Sequence, residues 1–212
     1  MPTGAETYAS LLQSMDSPLD AAQCGQLGKW LMLVEQAGKV MNLTGLREPH
    51  EMAAELVLES LRLLGDSTFV EGSRVLDIGS GNGAPVVPLA VACPQASFTA
   101  VEARSRRTDF LQFAMRQMKL TNLQVICSRV EELPAVQRGP YDCIISRAFA
   151  SPQLFISISS GLLAESGGIR GICGDSEEEV RQAALEHGMN VEALERYEHG
   201  GRMRISYRLS RS

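Results

Sequence analysis

The stretch VLDIGSGNGAP, Val75 to Pro85, sets glycines at alternate positions directly behind a short apolar run that ends in an acid. Each glycine costs backbone entropy when it is ordered, so Gly79, Gly81 and Gly83 together imply that something approaches the chain more closely than a Cβ allows. One glycine would serve a simple turn.

Outward from this stretch, strand and helix patterns alternate. RVLDIGS reads as a strand, PVVPLAVAC as a buried helix, SFTAVEA as a strand, and SRRTDFLQFAMRQMKL as a helix capped by Ser105. LQVICSR, YDCIISRA and GIRGICG read as three more strands. SPQLFISISSGLL and SEEEVRQAALEHG read as helices, the second opened by Ser176 and closed by Gly188. This order predicts an α/β fold with a mostly parallel sheet covered by helices on both faces. NVEALERY and RMRISYRLS, with only EHGG between them, predict an antiparallel pair that closes the sheet. Residues 1–65 read as helical throughout, with Leu27, Trp30, Leu31 and Val34 at helical spacing. Pro49 fits the first turn of a second helix on which Met52, Leu56, Glu59 and Leu63 recur less cleanly. A boundary between about 65 and 73 divides the chain into an N-terminal helical segment, 1–70, and a domain, 71–212.

The chain has 212 residues, 44% of them hydrophobic, which suits one substantial core and is too short for two average domains. A net charge of -5 excludes a uniformly basic surface, so nucleic-acid contact requires a local patch. The five cysteines lack C-x-x-C spacing, and the three histidines lack a metal-ligand neighbour. No metal site is expected. The N-terminus lacks the basic start and apolar run of a signal peptide, and no window approaches a membrane helix, so the chain reads as a soluble, cytoplasmic protein.

In a doubly wound sheet, ligands bind outside the carboxyl ends of the strands, where the first strand-to-helix turn lies. Asp77 to Gly83 is that turn. It lacks the Gly-Lys-Ser/Thr of a triphosphate loop, and its G-x-G-x-G spacing differs from the G-x-G-x-x-G of dinucleotide folds. That favours S-adenosylmethionine, which brings no pyrophosphate to the helix. Glu102 ends the second strand, 19 residues beyond Gly83, where an acid accepts hydrogen bonds from ribose hydroxyls; nicotinamide enzymes share this feature. Val130 and Glu131, in SRVEELP, fit an apolar and a polar flank for an adenine ring. DCIISRAFASP places Ser146, Arg147, Phe149 and Ala150 at the same edge of the sheet. Arg147 ends a buried strand and needs a partner there: the cofactor, its substrate, or a salt bridge to Glu131 or Asp77.

With NLT at 42–44, the glycine loop, SRVEE and ISRAFAS in that order, the sequence resembles the bacterial small-subunit (16S) ribosomal RNA guanine-N7 methyltransferases, historically called glucose-inhibited division protein B. The resemblance spans about residues 20–175. It implies a class I S-adenosylmethionine-dependent methyltransferase fold with a helical N-terminal segment, and ribosomal RNA or the small ribosomal subunit as partner, without membrane or metal, for a monomer. It also carries cofactor contacts onto Gly79, Ala84, Val130, Glu131 and Arg147, with Glu102 at the acidic position after the second strand. Asn82, Ala84 and Val86 depart from the family's G-x-G-P-G-L-P-G loop without filling it. The family's Arg-His pair falls on Glu55-Leu56, and the lysine of its LKG on Cys173, changes that should weaken phosphate binding.

Methyl transfer to guanine N7 removes no proton, so no general base is expected, and the catalytic candidates Arg147, Asn42 and Ser146 orient the base. The cofactor set is Asp77, Gly79, Gly81, Gly83, Ala84, Glu102, Val130, Glu131 and Arg147. Arg202, Arg204 and Arg208 share one face of the last strand, and Arg104, Arg106 and Arg107 cluster beside Glu102; these are the candidate RNA-facing charges. Two other readings stand beside this one: a methyltransferase of the same lineage with another substrate, and a cofactor-binding protein without activity. A nicotinamide enzyme stands behind both.

Overall fold

The computed structural model describes residues 4–65 and 69–211. Helix α1, Ala5–Ser14, turns back on α2, Ala21–Met41, at a close crossing: a Cβ on Gly28 would lie 2.5 Å from the Ala5 carbonyl oxygen. A reciprocal capping box between Asp20 and Gln23 opens α2, and Asn42 closes it in the left-handed conformation, φ 50°. Residues 42–48 are loop, so the N-terminal segment is not helical throughout; Asn42 and Gly45 favour that break. Helix returns as α3, Pro49–Ala53, continues through a π-helical turn, Ala54–Leu58, into α4, Glu59–Leu61, and ends as a 3-10 turn, Arg62–Leu64. Pro49 occupies the first turn, as expected.

From residue 74 the alternation holds. The elements are β1 Arg74–Ile78, α5 Val86–Ala92, β2 Ser97–Glu102, α6 Ser105–Met118, β3 Leu123–Cys127, β4 Tyr141–Arg147, α7 Pro152–Ser160, β5 Leu163–Gly174, α8 Glu177–Glu186, β6 Met189–His199 and β7 Arg202–Arg211. The seven strands lie in the order β3-β2-β1-β4-β5-β7-β6. β1 pairs in parallel with β2 and β4, β3 with β2, and β5 with β4, whereas β7 runs antiparallel between β5 and β6. β5 begins five residues before the predicted GIRGICG; its register shifts between Tyr141 and Cys143, and this irregularity absorbs the polar AESG stretch.

Ser105 is not the cap of α6. It lies in the first helical turn, Arg104 is the N-cap residue without a side-chain bond, and the Arg104 amide donates to Glu102 instead (2.9 Å). A carboxylate at a helix N-terminus complements the helix dipole, so Glu102 takes the role assigned to the serine. Ser176 likewise starts α8 without a side-chain bond, ahead of Glu177, Glu178 and Glu179, and Gly188 follows its end at φ 61°.

Alternation along β1 sorts its side chains between two layers. Val75 joins the core shared by α1, α2, α5, α6 and the 49–64 segment, while Leu76 and Ile78 join that beneath α7 and α8. Trp30, fully buried, anchors the first core. None of the described helices is long and apolar enough to cross a membrane.

Candidate active site

The turn after β1 crosses the carboxyl edge of the sheet at its centre, between β2 and β4. Gly79, Gly81 and Gly83 all have positive φ, at 77°, 54° and 104°, a conformation that resists a side chain. They serve different neighbours. A Cβ on Gly83 would lie 2.8 Å from both Leu111 Cδ2 and Val87 Cγ2, so that glycine admits the core. At Gly79 the neighbour is the Phe149 ring, with Cδ2 at 2.7 Å from such a Cβ, while at Gly81 the nearest atoms lie at 3.7 Å. Protein neighbours thus account for the bare backbone at Gly83 and Gly79, whereas at Gly81 no described atom would come closer than 3.7 Å to a Cβ.

Glu102 faces this turn from the end of β2. Its carboxylate accepts from the Gly81 amide (3.0 Å) and the Arg104 amide and pairs with Arg107 Nη1 at 3.5 Å, so one acid ties the glycine loop to the start of α6. Asp77 lies beneath the loop. It is fully buried, and neither carboxylate oxygen has a hydrogen-bond partner among the described residues; the Trp30 indole N–H is a second buried group without one. Burial pushes the Asp77 carboxyl up to about 7, with the Ser80 hydroxyl and the Arg147 charge pulling it down and the Glu102 charge pushing it up. A buried acid without a partner, beside a loop that a second acid holds open, fits a ligand with a cationic end, and S-adenosylmethionine carries both a sulfonium and an ammonium.

The remaining candidates divide. Val130 is buried in a 3-10 turn and Glu131 is exposed beside it, its carbonyl accepting from Arg138 Nη2 (2.7 Å). Ala84 is buried, and its amide donates to Asn82 Oδ1 (3.1 Å). Asn82 also donates to the Leu43 carbonyl (3.4 Å), joining the loop to the NLT stretch. Ser146 is buried, and its hydroxyl donates to the Ile78 carbonyl (3.1 Å), a bond between β4 and β1. Ala148 and Ala150 both adopt left-handed backbone, φ 56° and 39°, and hold Phe149 between them; strain of this kind in non-glycine residues gathers at functional sites.

A cavity of about 740 Å³ opens beside the glycine loop. Leu43, Thr44 and Gly45 line it from the N-terminal loop, His50, Glu51 and Glu55 from the following helix, Asn82 and Arg147 from the sheet edge, and His199, Arg202 and Arg204 from the β6–β7 hairpin. Asn42 and Ser146 are outside this lining. Arg147 pairs with neither Glu131 nor Asp77: its Nη1 donates to Glu59 Oε2 (3.0 Å) and to the Glu55 carbonyl. Glu59 also takes Arg204 and the Tyr197 hydroxyl.

Arg204 is therefore not on a solvated face. On that face of β7, Arg204 and Arg208 lie under the N-terminal segment, Arg204 on Glu55 and Glu59 and Arg208 against Gly65, while Arg202 is exposed at the cavity. Glu55 is balanced by Arg204 at 3.1 Å, so its negative charge does not stand alone in the cavity. Glu55, Glu59 and His199 bring ligand atoms within 4.8 Å of one another, but the arginines already engage both carboxylates and oppose a cation there. Cys173 lies in β5 outside the cavity lining, its thiol pushed up to about 11 by burial, with the Glu179 and Asp175 charges adding to it. Sequence reasoning missed Glu59, Tyr197 and both histidines; an acid within the apolar stripe of Met52, Leu56 and Leu63 was the available signal for Glu59.

Residues 23–201 match the family described as rRNA small subunit methyltransferase G. The chain is 34% identical over 185 residues to the ribosomal RNA small subunit methyltransferase G of Klebsiella pneumoniae, covering 87% of each protein. It is 35% identical over 178 residues to the protein of that name from Actinobacillus succinogenes, covering 84% of this chain and 82% of the relative. Among solved structures, magnesium protoporphyrin IX methyltransferase from Synechocystis PCC 6803 with bound S-adenosylmethionine superposes with a TM-score of 0.61 at 14% identity, over 93% of this chain and 100% of that one. TrmN from Thermus thermophilus gives 0.58 at 19%, over 76% of this chain and 49% of that one. These last two establish a shared fold. The sequence match, the seven-stranded order and the acid-flanked glycine loop lead to one assignment: the chain belongs to the rRNA small subunit methyltransferase G family of S-adenosylmethionine-dependent enzymes.

Proposed function

We propose that this protein methylates N7 of a guanine in 16S ribosomal RNA, with S-adenosylmethionine as donor. The observation that carries the reading is that the cavity lies against the glycine loop, lined by Asn82 of that loop and by Arg147 from the end of β4, which gives a donor edge and an acceptor pocket in contact. When bound, the donor supplies an electrophilic methyl group on a positively charged sulfur.

In this reading Asp77, whose carboxylate has no partner among the described residues, would hold the cationic end of the donor, Glu102, which already accepts from the Gly81 amide, would hold the ribose, and Val130 and Glu131 would hold the adenine. Guanine N7 presents an unprotonated lone pair at neutral pH, so the protein removes no proton before attack. It has to hold the base in line and exclude water. Arg147 addresses O6, because a hydrogen bond to N7 would occupy the lone pair that reacts. Positive charge passes from sulfur to the guanine ring during transfer, and a cavity whose Arg147 and Arg204 are paired with Glu55 and Glu59 accommodates it better than a uniformly basic one.

The test is incubation of purified protein with methyl-labelled donor and either undermodified small ribosomal subunits or a metabolite extract. Label in 16S RNA at a site that becomes cleavable by borohydride and aniline, the chemistry of 7-methylguanine, is the expected result. Label confined to the small-molecule fraction, or in RNA that resists that cleavage, overturns the reading.

A further inference from the structure

We propose that Glu59 is a positioning residue that sets Arg147 and Arg204 as a paired donor wall, and that this wall selects guanine over adenine in the cavity. The inference rests on the acceptor reading above and names how that pocket recognises its base.

Glu59 has a side chain with no solvent exposure. It accepts from Arg147 Nη1 (3.0 Å), from Arg204 Nη1 (3.2 Å) and from the Tyr197 hydroxyl (3.1 Å), and its Oε1 lies 3.2 Å from Arg204 Nε as an ion pair. A carboxylate offers about four lone-pair sites, so this one has little capacity left for a substrate. It acts through the groups it holds. They come from the end of β4, from β6 and from β7, and Glu59 itself follows the π-helical turn Ala54–Leu58, a form that interrupts helices mostly at functional sites. Glu55, at the start of that turn, holds Arg204 Nη2 (3.1 Å) and offers its carbonyl to Arg147.

What remains free is as informative as what is bound. Both Arg147 and Arg204 line the cavity and are largely buried, at 13% and 17% side-chain exposure. The Nε and Nη2 hydrogens of Arg147, and one hydrogen on each Nη of Arg204, have no protein acceptor among the described residues. With Nη1 bonded to Glu59 and Nη2 to Glu55, Arg204 has little freedom to turn away. These two planar forks offer donors alone. Guanine brings O6, whose two lone pairs accept one hydrogen from each fork; adenine brings an N6 amino group at the same position and sets donor against donor. Sites built to hydrogen-bond one partner discriminate strongly for that reason.

The experiment uses the full chain with Glu59→Gln, Glu59→Asp and Arg204→Lys. It measures donor affinity by calorimetry, kcat and KM on undermodified subunits, and binding of a short single-stranded RNA with one guanine against the same RNA with adenine. Glu59→Gln places an amide donor among the arginines; it should raise KM for subunits at least tenfold and erase the guanine preference in protein that still binds donor. Glu59→Asp should recover part of it. Arg204→Lys keeps a charge but loses the fork, and should reproduce the loss of preference even if Glu59→Gln does not fold. A guanine preference absent from the wild type, unchanged in Glu59→Gln and Arg204→Lys, or lost only together with donor binding and thermal stability, overturns the inference. Wild-type protein that prefers guanine through Glu59 yet transfers no methyl group to RNA instead overturns the reaction and leaves the wall standing.

Discussion

Asp77→Asn tests the buried acid on which the proposed donor site rests. Burial pushes the Asp77 carboxyl from 3.8 up to about 7, without a hydrogen-bond partner on either oxygen. At about 1.4 kcal/mol per pH unit, ionised Asp77 costs the ligand-free fold about 4 kcal/mol above pH 7. The sign follows from a folded-state value above the unfolded one: the cost is absent below about pH 4, grows as pH rises toward 7, and is level beyond. Between pH 5 and pH 8 the wild type should therefore lose about 3 kcal/mol relative to Asp77→Asn, in which this position does not titrate. Urea denaturation at the two pH values reads that difference, whatever constant cost the buried asparagine adds. Donor binding should draw Asp77 back to the ionised form, so calorimetry near pH 6.5 in buffers of different ionisation enthalpy should show proton release in the wild type and none from this source in the variant. Donor affinity should also fall in Asp77→Asn, by about 1–3 kcal/mol. Parallel stability profiles for the two proteins would refute the argument, since they would mean that Asp77 is already ionised and partnered.

Other positions separate packing from chemistry. Gly28→Ala places a Cβ 2.5 Å from the Ala5 carbonyl oxygen and 2.7 Å from the Ala9 amide nitrogen, and should cost about 1–3 kcal/mol in urea denaturation; an unchanged midpoint would mean that α1 is not docked. Glu102→Ala removes the acceptor of the Gly81 and Arg104 amides, and should weaken donor binding by about 1–3 kcal/mol in calorimetry; unchanged affinity would move the ribose elsewhere. Ser146→Ala removes a buried bond to the Ile78 carbonyl, and should cost about 1 kcal/mol of stability while turnover stays within twofold; a loss of kcat beyond tenfold would restore Ser146 as a group that touches the base.

The alternation from residue 74 was legible because parallel strands are buried on both faces and so read as unbroken apolar runs between turns. The loop at 77–83 was legible because an acid and alternate glycines behind a strand form a local pattern; that Gly79 makes room for Phe149 and Gly83 for Leu111 was not, since those partners lie far along the chain. The acceptor cavity was not, for a reason visible in Glu59. Its partners Arg147 and Arg204 lie 88 and 145 residues away, and a helix face with one acid among Met52, Leu56 and Leu63 looks like an imperfect stripe until those partners are placed. The same distance explains Arg147, whose need for a counter-charge was evident while Glu131 and Asp77 were the nearest acids in the sequence motifs. Ser105 misled for a different reason: cap propensity favours a serine there, and Glu102, already at the strand end, supplied the carboxylate that the helix terminus accepts.

An acidic chain that acts on RNA raises the question of where its positive charge goes. With a net charge of -5, long-range attraction contributes little to meeting a phosphate backbone, and Arg147 and Arg204 at the cavity are committed to carboxylates, which leaves the exposed Arg202 as the arginine there without a carboxylate among the described residues. That arrangement suits the proposed reaction. A guanidinium held by Glu55 and Glu59 still directs hydrogen bonds at a base edge, but its net field is small, so it does not oppose the positive charge that arrives on guanine with the methyl group. Hydrogen-bond direction survives neutralisation, and field does not. Glu55, which as an isolated substitution looked like a loss of phosphate grip, is on this account the counter-charge that lets Arg204 read the base without repelling the product.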